Sequence, residues 1–569
     1  DTYRDFNEAG FGALMLDTVS YVGDIMSFYL DYQANESFLH TSIEYDNILK
    51  LGRQSGHRFL GNPSSWGIGT FFIVVPAVAT GLGPDMRYVP TLKTGSQFRS
   101  KSGSNFMLAE DVRFALSEHE VRVANVDETT GVPLSYAIKA YGTIVSGSYG
   151  EEIVSIGEFE PFKRITLSAS NVTEIVSVID LEGHEYFGVD FLSQNVVYRA
   201  IANRSDDTAL SILKPFVVPR RFIVDRDKTR MHLQFGAGQE ADLSQDNQIA
   251  DPSSVILQMH GKNYITDEAF DPAKLIASDN FGVAPSNTDL RIIYRANSSS
   301  DVNASAGSVN QVVAPKLEFS DPTVLSLAQM LSVRSSIEID NEEPIVGDVA
   351  LPKTPELKRR IYGTFAAQNR AVTTQDYESM VYQMPPKYGA IKRVSVVRDP
   401  DSLKRNLNMY VISEDDSANL VQTNDVIKRN LKTWLIKNKM IQDTIDILDA
   451  RVVNFGIDYT IVGALDGSNN DKFSILSRCQ RALERHFERK LEIGEAFWIT
   501  DIYKALNAVD GVVDTTFVKI IAKTGGAYSD TRFNIAENMS ADGRYVNVPK
   551  NVIFEVLLPD STDIKGVVK

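Results

Sequence analysis

A chain of 569 residues has room for roughly three to five domains, and its 43% hydrophobic content supplies each with material for a core. Against 58 Lys and Arg stand 74 Asp and Glu, a net charge of −16 that opposes a polyanion and argues against nucleic acid as a partner. The single cysteine, Cys479, excludes an intramolecular disulfide and a thiolate metal cluster.

The chain opens at Asp1 without a basic stretch followed by an apolar one, so no secretory leader is expected. The first region, 1–65, reads as a helical arm. Between Phe11 and Tyr32 most positions are apolar, and Met15, Val19, Val22, Met26 and Tyr29 recur at alternating steps of four and three, the seam spacing of packed helices. A helix apolar on most of its circumference must bury more than one side, within its own fold or against helices of other chains. These five residues are the expected interface. A second amphipathic piece spans Phe38 to Leu51, ahead of a turn at Gly52, Gly56 and Gly61.

Residues 66–122 turn strand-like, with Phe71, Ile73 and Val75 alternating before Pro76 in an apolar run (71–79) too short to cross a membrane. Residues 123–345 contain further β runs, at 165–167, 175–179, 196–201 and 222–224, and read as a larger β domain or insertion. Within it, 297–312 is rich in Ser, Asn and Ala, the composition of an exposed, flexible loop. Residues 346–522 alternate strands with helices at 424–439, 471–490 and 500–509, capped by Asn424 and Thr500, as in small α/β sandwiches. The remaining 523–569 is a tail with one good strand, 552–558, able to complete a sheet edge locally or on a neighbour. The fold class expected is multidomain α+β: a helical arm, β-rich middle domains and small C-terminal α/β sandwiches.

Chemistry is hard to find. The histidines at 40, 57, 119, 184, 232, 260 and 486 have no metal-ligand spacing, and no metal or cofactor is expected. Gly67-x-Gly69, Gly81-x-Gly83 and Gly236-x-Gly238 lack the third glycine of a dinucleotide turn. Two carboxylate groups, Glu414 with Asp415 and Asp416, and Asp443 with Asp446 and Asp449, read as solvated loops rather than an acid and base pair. Cys479 shares a helix face with Leu476, Leu483 and Phe487 and reads as a small core residue. Two readings stand for Arg220 and Arg221: a patch that binds phosphate or a carboxylate of another chain, or an arginine pair bridging strands of its own domain.

Four stretches together carry a family resemblance. They are residues 5–61, with NESFLHT at 35–41 the sharpest part; 177–200; VPRRF at 218–222 with LQFGAG at 233–238; and 370–396, with its AVTTQDYE run. Together they resemble the baseplate wedge protein of contractile-tailed, T-even-like phages, in the baseplate J-like group. The resemblance implies a structural subunit of the virion tail, assembled in the host cytoplasm, and not an enzyme. It further implies that two copies pair within each wedge, and that their N-terminal helices bundle with a helix of a second wedge protein. The C-terminal domains would pair between wedges, closing a ring around the tail hub that rearranges on sheath contraction. Other baseplate and sheath-initiating proteins would be neighbours, with no nucleic acid and no membrane. The rival expectations are a tail-associated glycan hydrolase and a soluble adaptor with a helical dimerisation arm.

Overall fold

The computed structural model describes residues 10–59, 61, 63–202, 211–227, 230–239, 281–297, 302–400, 406–464, 471–560 and 562–569. It is a multidomain α+β chain. Two helices open it, α1 (Phe11–Glu36) and α2 (Tyr45–Gln54).

The strand Trp66–Pro76 then pairs antiparallel over its whole length with Pro133–Ser146, Trp66 facing Val145 and Pro76 facing Ser135. Phe71, Ile73 and Val75 are fully buried while Phe72 and Val74 are half-buried, the two-residue period of a sheet packed chiefly on one side. Five more strands complete this sheet: Gln97–Ser100, Asn105–Leu108, Glu120–Val126, Val309–Ala314 and Glu338–Asp340. Helix α3 (Leu327–Ser335) contributes Val333 to the same core. A boundary at residue 122 therefore does not follow the sheet, which takes strands from both sides of it.

Between Ser146 and Val302 the chain leaves that sheet and builds another. It runs Ser148–Ile156, Thr288–Ala296, Val172–Ile179, Glu185–Gly188, Arg221–Arg226, Met231–Phe235 and Arg164–Thr166, around Phe222, Leu233 and Phe235. This second sheet is inserted between strands of the first, and the expected β domain over 123–345 takes in strands of both. A two-stranded ribbon, Val196–Ala202 with Ser211–Val217, is attached to it.

The expected flexible loop at 297–312 is a correction, apart from 298–301, which lie outside the described residues. Val302, Asn303, Ala304 and Val309 are buried, Ala304 pairs with Ile345, and the strand Val309–Ala314 begins inside the interval. The Asn303 amide donates to the carbonyls of Asp348 at 2.6 Å and Glu414 at 3.0 Å. Small and amide side chains fit here because backbone packs against backbone, so they do not mark solvent exposure.

Helices α4 (Thr354–Ala367) and α5 (Thr374–Tyr382) open the C-terminal part. Thr373 and Asp376 cap α5 reciprocally, the first accepting from the Asp376 amide and the second from the Thr373 amide. The strands Asn406–Glu414 and Thr444–Asp449 lie parallel, joined through α6 (Asp425–Ile436), whose N-cap Asn424 accepts from the Ile427 amide at 3.0 Å. The last sheet gathers Arg451–Gly463, Val512–Lys523, Val552–Glu555 and Ile564–Val568, covered by α7 (Lys472–Phe487) and α8 (Ile499–Asn507). Residue 498 precedes α8, so Thr500 lies in its first turn and is not its cap. Residues 523–569 are not a separate tail: two of their strands pair with Arg451–Gly463, and Val546, Phe554 and Ile564 enter its core.

Candidate interface at the N-terminal arm

Helix α1 spans 26 residues, about 39 Å at 1.5 Å per residue. Its one buried residue is Glu36, at the C-terminal end. Met15, Val19, Val22, Met26 and Tyr29 lie on one face and are 48–67% exposed. A second apolar row, Leu14, Tyr21, Phe28 and Tyr32, is exposed on a neighbouring face, with Phe28 stacked on Tyr32 at 6.3 Å. Between these rows, on the far side, run Asp17, Asp24 and Asp31. An isolated helix is marginal in water, and burying one large apolar side chain is worth about 1.5–3 kcal/mol. Among the described residues, little of the apolar surface of α1 is buried within the chain.

The base of the arm is firmly held. The Glu36 carboxylate accepts from the amides of Ile43 at 2.7 Å and Glu44 at 3.3 Å and from the Asn47 side chain at 3.0 Å, and these bonds, the Ile43 amide foremost, keep it below the usual carboxylate range. Helix α2 packs Ile48 and Leu49 against Leu357 and Ile361 of α4. Gly52 permits the approach, since a Cβ there would lie 2.8 Å from Ile361 Cδ1. His57 Nδ1 sits 2.9 Å from Thr364 Oγ1, and burial, reinforced by the Arg360 charge, holds its pKa down at about 4. From the same connector, Arg53 pairs with Asp227 at 2.7 Å and Asp225 at 3.3 Å, and Arg58 with Asp190 at 3.3 Å. The root of the arm thus touches both the inserted sheet and the C-terminal part.

The other candidate residues do not join this surface. Arg221 is 2% exposed and donates its Nη1 to the Val218 carbonyl at 2.8 Å and its Nε to the Leu192 carbonyl at 2.5 Å. Arg220 is half-buried, and its carbonyl accepts from the Phe187 amide at 3.0 Å. Arg221 is therefore an internal strut that holds loop carbonyls of its own domain and is not an outward patch. Of the carboxylates expected in solvent, Glu414 is buried with Lys392 at 2.6 Å, Asp443 is buried and accepts from the Tyr377 hydroxyl at 2.8 Å, and Asp449 pairs with Lys428 at 2.8 Å. Their partners come from distant sequence, which is why the local pattern misread them. Cys479 is buried in the last core, and burial pushes its thiol up to about 11. Among the described residues no group of three or more His, Cys, Asp or Glu could hold a metal, and no helix is long and apolar enough to cross a membrane. His260 lies outside the described residues.

Comparison with known proteins bears on the same segment. Residues 2–54 match the family described as "Bacteriophage baseplate protein, N-terminal domain". No curated protein matches the chain. A chain of the anti-feeding prophage (AFP) baseplate, solved by cryo-EM and 6-fold symmetrised, aligns over 87% of this chain and 77% of that one at 8% identity, with a TM-score of 0.24. The described part of the family match consists of α1, the turn after it and α2 up to its last residue. The matched stretch includes α1, whose apolar rows the other described residues leave exposed.

Proposed function

We propose that this chain is a structural subunit of a phage tail baseplate wedge, a component of the virion tail. Its α1 bundles with a helix of a second wedge protein and with α1 of another copy, and its C-terminal domains pair between wedges to form the ring around the tail hub. The observation that carries this reading is the bare apolar circumference of α1 above a root fixed to two domains. Two apolar rows suit a helix with two neighbours better than one with a single partner. The family match over residues 2–54 supports the baseplate assignment. Its work is mechanical: sheath contraction changes the ring while interfaces hold, so rigid sheets turn about their connections.

Substituting Val22 and Met26 by Asp together tests it. The doubly substituted chain is expected to fold in its C-terminal domains, with Cys479 still protected, and to be absent from assembled tails. Tails of normal composition and yield carrying this variant would overturn the reading.

A further inference from the structure

The C-terminal part consists of two sheets joined at one point. Ala450 alone separates the strand Thr444–Asp449 from Arg451–Gly463, and every described strand of the last sheet follows it. The cores on the two sides are separate, and among the described residues no backbone hydrogen bond crosses from one side to the other. Two sets of contacts hold them together. Around Ala450 lies a small apolar cluster in which Ile412 and Leu420 meet Ile493 and Ile553, and the buried Glu555 carboxylate accepts from the Leu420 amide at 3.0 Å. Beside it, α4 and the strand Arg393–Arg398 face the segment after α7 through charges. Glu492 pairs with Arg393 at 3.2 Å and with Arg359, and Lys353 pairs with Glu488 at 3.3 Å. The Arg393 side chain is buried and also reaches Glu356 at 3.0 Å, which Arg360 holds at 2.7 Å. These groups line an open crevice of about 580 Å³.

We propose that residues 451–569 form a hinged unit, with the apolar cluster at Ala450 as its pivot and the Glu492 carboxylate as the latch that closes it on α4. The cluster suits a pivot: parting its side chains would expose hydrocarbon to water, so they stay packed through a small rotation. The ion pairs suit a latch, because their attraction is offset by the desolvation of the charges and they fix a position at little net gain. The outer ones, at Lys353 and Arg359, are more than half exposed and therefore open to screening by salt. Glu492 is shared by arginines of two elements, so its loss frees both at once. Helix α4 also seats the root of the arm through Leu357 and Ile361, and a closed latch thus fixes the last domain relative to the arm. The use of such a swing in a ring that rearranges rests on the wedge reading above, whereas the swing itself belongs to the single chain.

Full-length chain with Lys437→Cys and Ser477→Cys, exposed positions at the end of α6 and on α7, accepts a spin label at each, since the native Cys479 is buried. Double electron–electron resonance is expected to give one distance at about 0.1 M salt and a second at about 1 M, where the screening length falls from about 10 Å to about 3 Å. At the lower salt, Glu492→Gln is expected to raise the second population about tenfold or more. Labels at Ser477→Cys and Lys565→Cys, both within the last domain, are expected to keep one distance throughout. Cys479 is expected to stay as slow to react in Glu492→Gln as in the native chain. A single distance under every condition, Glu492→Gln included, would overturn the latch, and so would a second distance accompanied by fast reaction of Cys479, which is unfolding and not a swing. Release by Ile553→Ala but not by Glu492→Gln would make the apolar cluster the latch and overturn the proposal as stated. If the unit opens as expected while chain with Val22→Asp and Met26→Asp assembles into normal tails, the wedge reading falls and the hinge stands. A single distance together with failed assembly of that double variant does the reverse.

Discussion

Arg295, at the end of a strand of the inserted sheet, donates through Nη1 to the Ser146 carbonyl at 2.7 Å, binding the point where the chain enters the insertion to the point where it leaves. The same nitrogen reaches Ser64 Oγ at 2.8 Å, and Nη2 lies 3.3 Å from Glu174. No apolar cluster among the described residues spans the insertion and the first sheet, whose cores are separate. Among the described residues the inserted domain is held to the first sheet by polar contacts, and Arg295 is a buried one.

Arg295→Ala should cost about 2–3 kcal/mol, below the full penalty for breaking a buried pair because Glu174 keeps access to water. Hydrogen exchange is expected to rise at the amides of Ser65, Gly147 and Asn297 while the centres of both sheets stay protected. Arg53→Ala or Arg58→Ala, at exposed ion pairs, should cost under about 1 kcal/mol each and less at high salt. A uniform loss of protection through the inserted sheet in Arg295→Ala would show that the residue supports the domain itself and not its attachment.

Gly52 offers a test of the arm's root. An Ala there gains up to about 1 kcal/mol of helix propensity but presses its Cβ on the flexible end of Ile361, 2.8 Å away, so the two effects should nearly cancel. Val adds methyl groups with nowhere to go and should destabilise the packing of α2 on α4 by about 1–3 kcal/mol. Ile361→Val in the same chain removes the offending methyl and should recover part of the loss, as measured by protease resistance of the connection after α2. If Gly52→Val proves neutral, the close approach of these helices is not what holds the arm.

How far the sequence discloses this molecule depends on how local each feature is. The arm is legible because Met15 to Tyr29 repeat within one helix and nothing distant modifies them, and Asn424 caps α6 through a bond three residues away. The insertion is not legible in outline, because Trp66–Pro76 finds part of its sheet at Val309–Ala314 and Glu338–Asp340 only after the chain has built a second sheet. Asn303 looks like loop composition until Asp348 and Glu414 bring their carbonyls to it. Arg221 admits an outward and an internal reading until Leu192 arrives, and Asp443 looks like surface charge until Tyr377 does. Burial of a polar side chain is a property of its partners, and those lie far along the chain.

His57 gives the root a dependence on pH. Its folded pKa of about 4 lies below the ordinary 6.5, so the fold prefers the neutral ring. The stability that goes with that preference is complete above pH 6.5 and is lost as the pH falls towards 4, where the unfolded chain has taken up a proton that the fold resists. Full loss is on the order of 3 kcal/mol. Between pH 7.5 and 4.5, amides of α2 and the facing turns of α4 should therefore lose exchange protection, after correction for intrinsic rates, more than those of the Trp66–Pro76 strand. His57→Gln, which keeps a partner for Thr364 without the titration, should flatten the difference. An unchanged pH dependence in that variant would assign it to another group.

Cys479 turns the last domain into its own reporter. The thiol is buried in a core with Phe455, Ile475 and Leu483, and a rise from about 9 to about 11 leaves roughly a hundredfold fewer thiolates at neutral pH than the unperturbed group would have. Both effects slow reaction with a maleimide, so labelling of the native chain should lag that of the unfolded chain by well over a hundredfold and follow the opening of the domain. Cys479→Ala leaves a small cavity and should cost about 1–2 kcal/mol, whereas Cys479→Ser buries a hydroxyl among apolar neighbours and should cost more. Since Val546, Phe554 and Ile564 share this core, truncation after Lys523 should expose the thiol outright, whereas Val22→Asp with Met26→Asp on α1 should leave its labelling unchanged. Fast labelling in that double variant would mean that the arm and the last domain fold as one unit, and a loss of tail assembly could then no longer be assigned to the surface of α1.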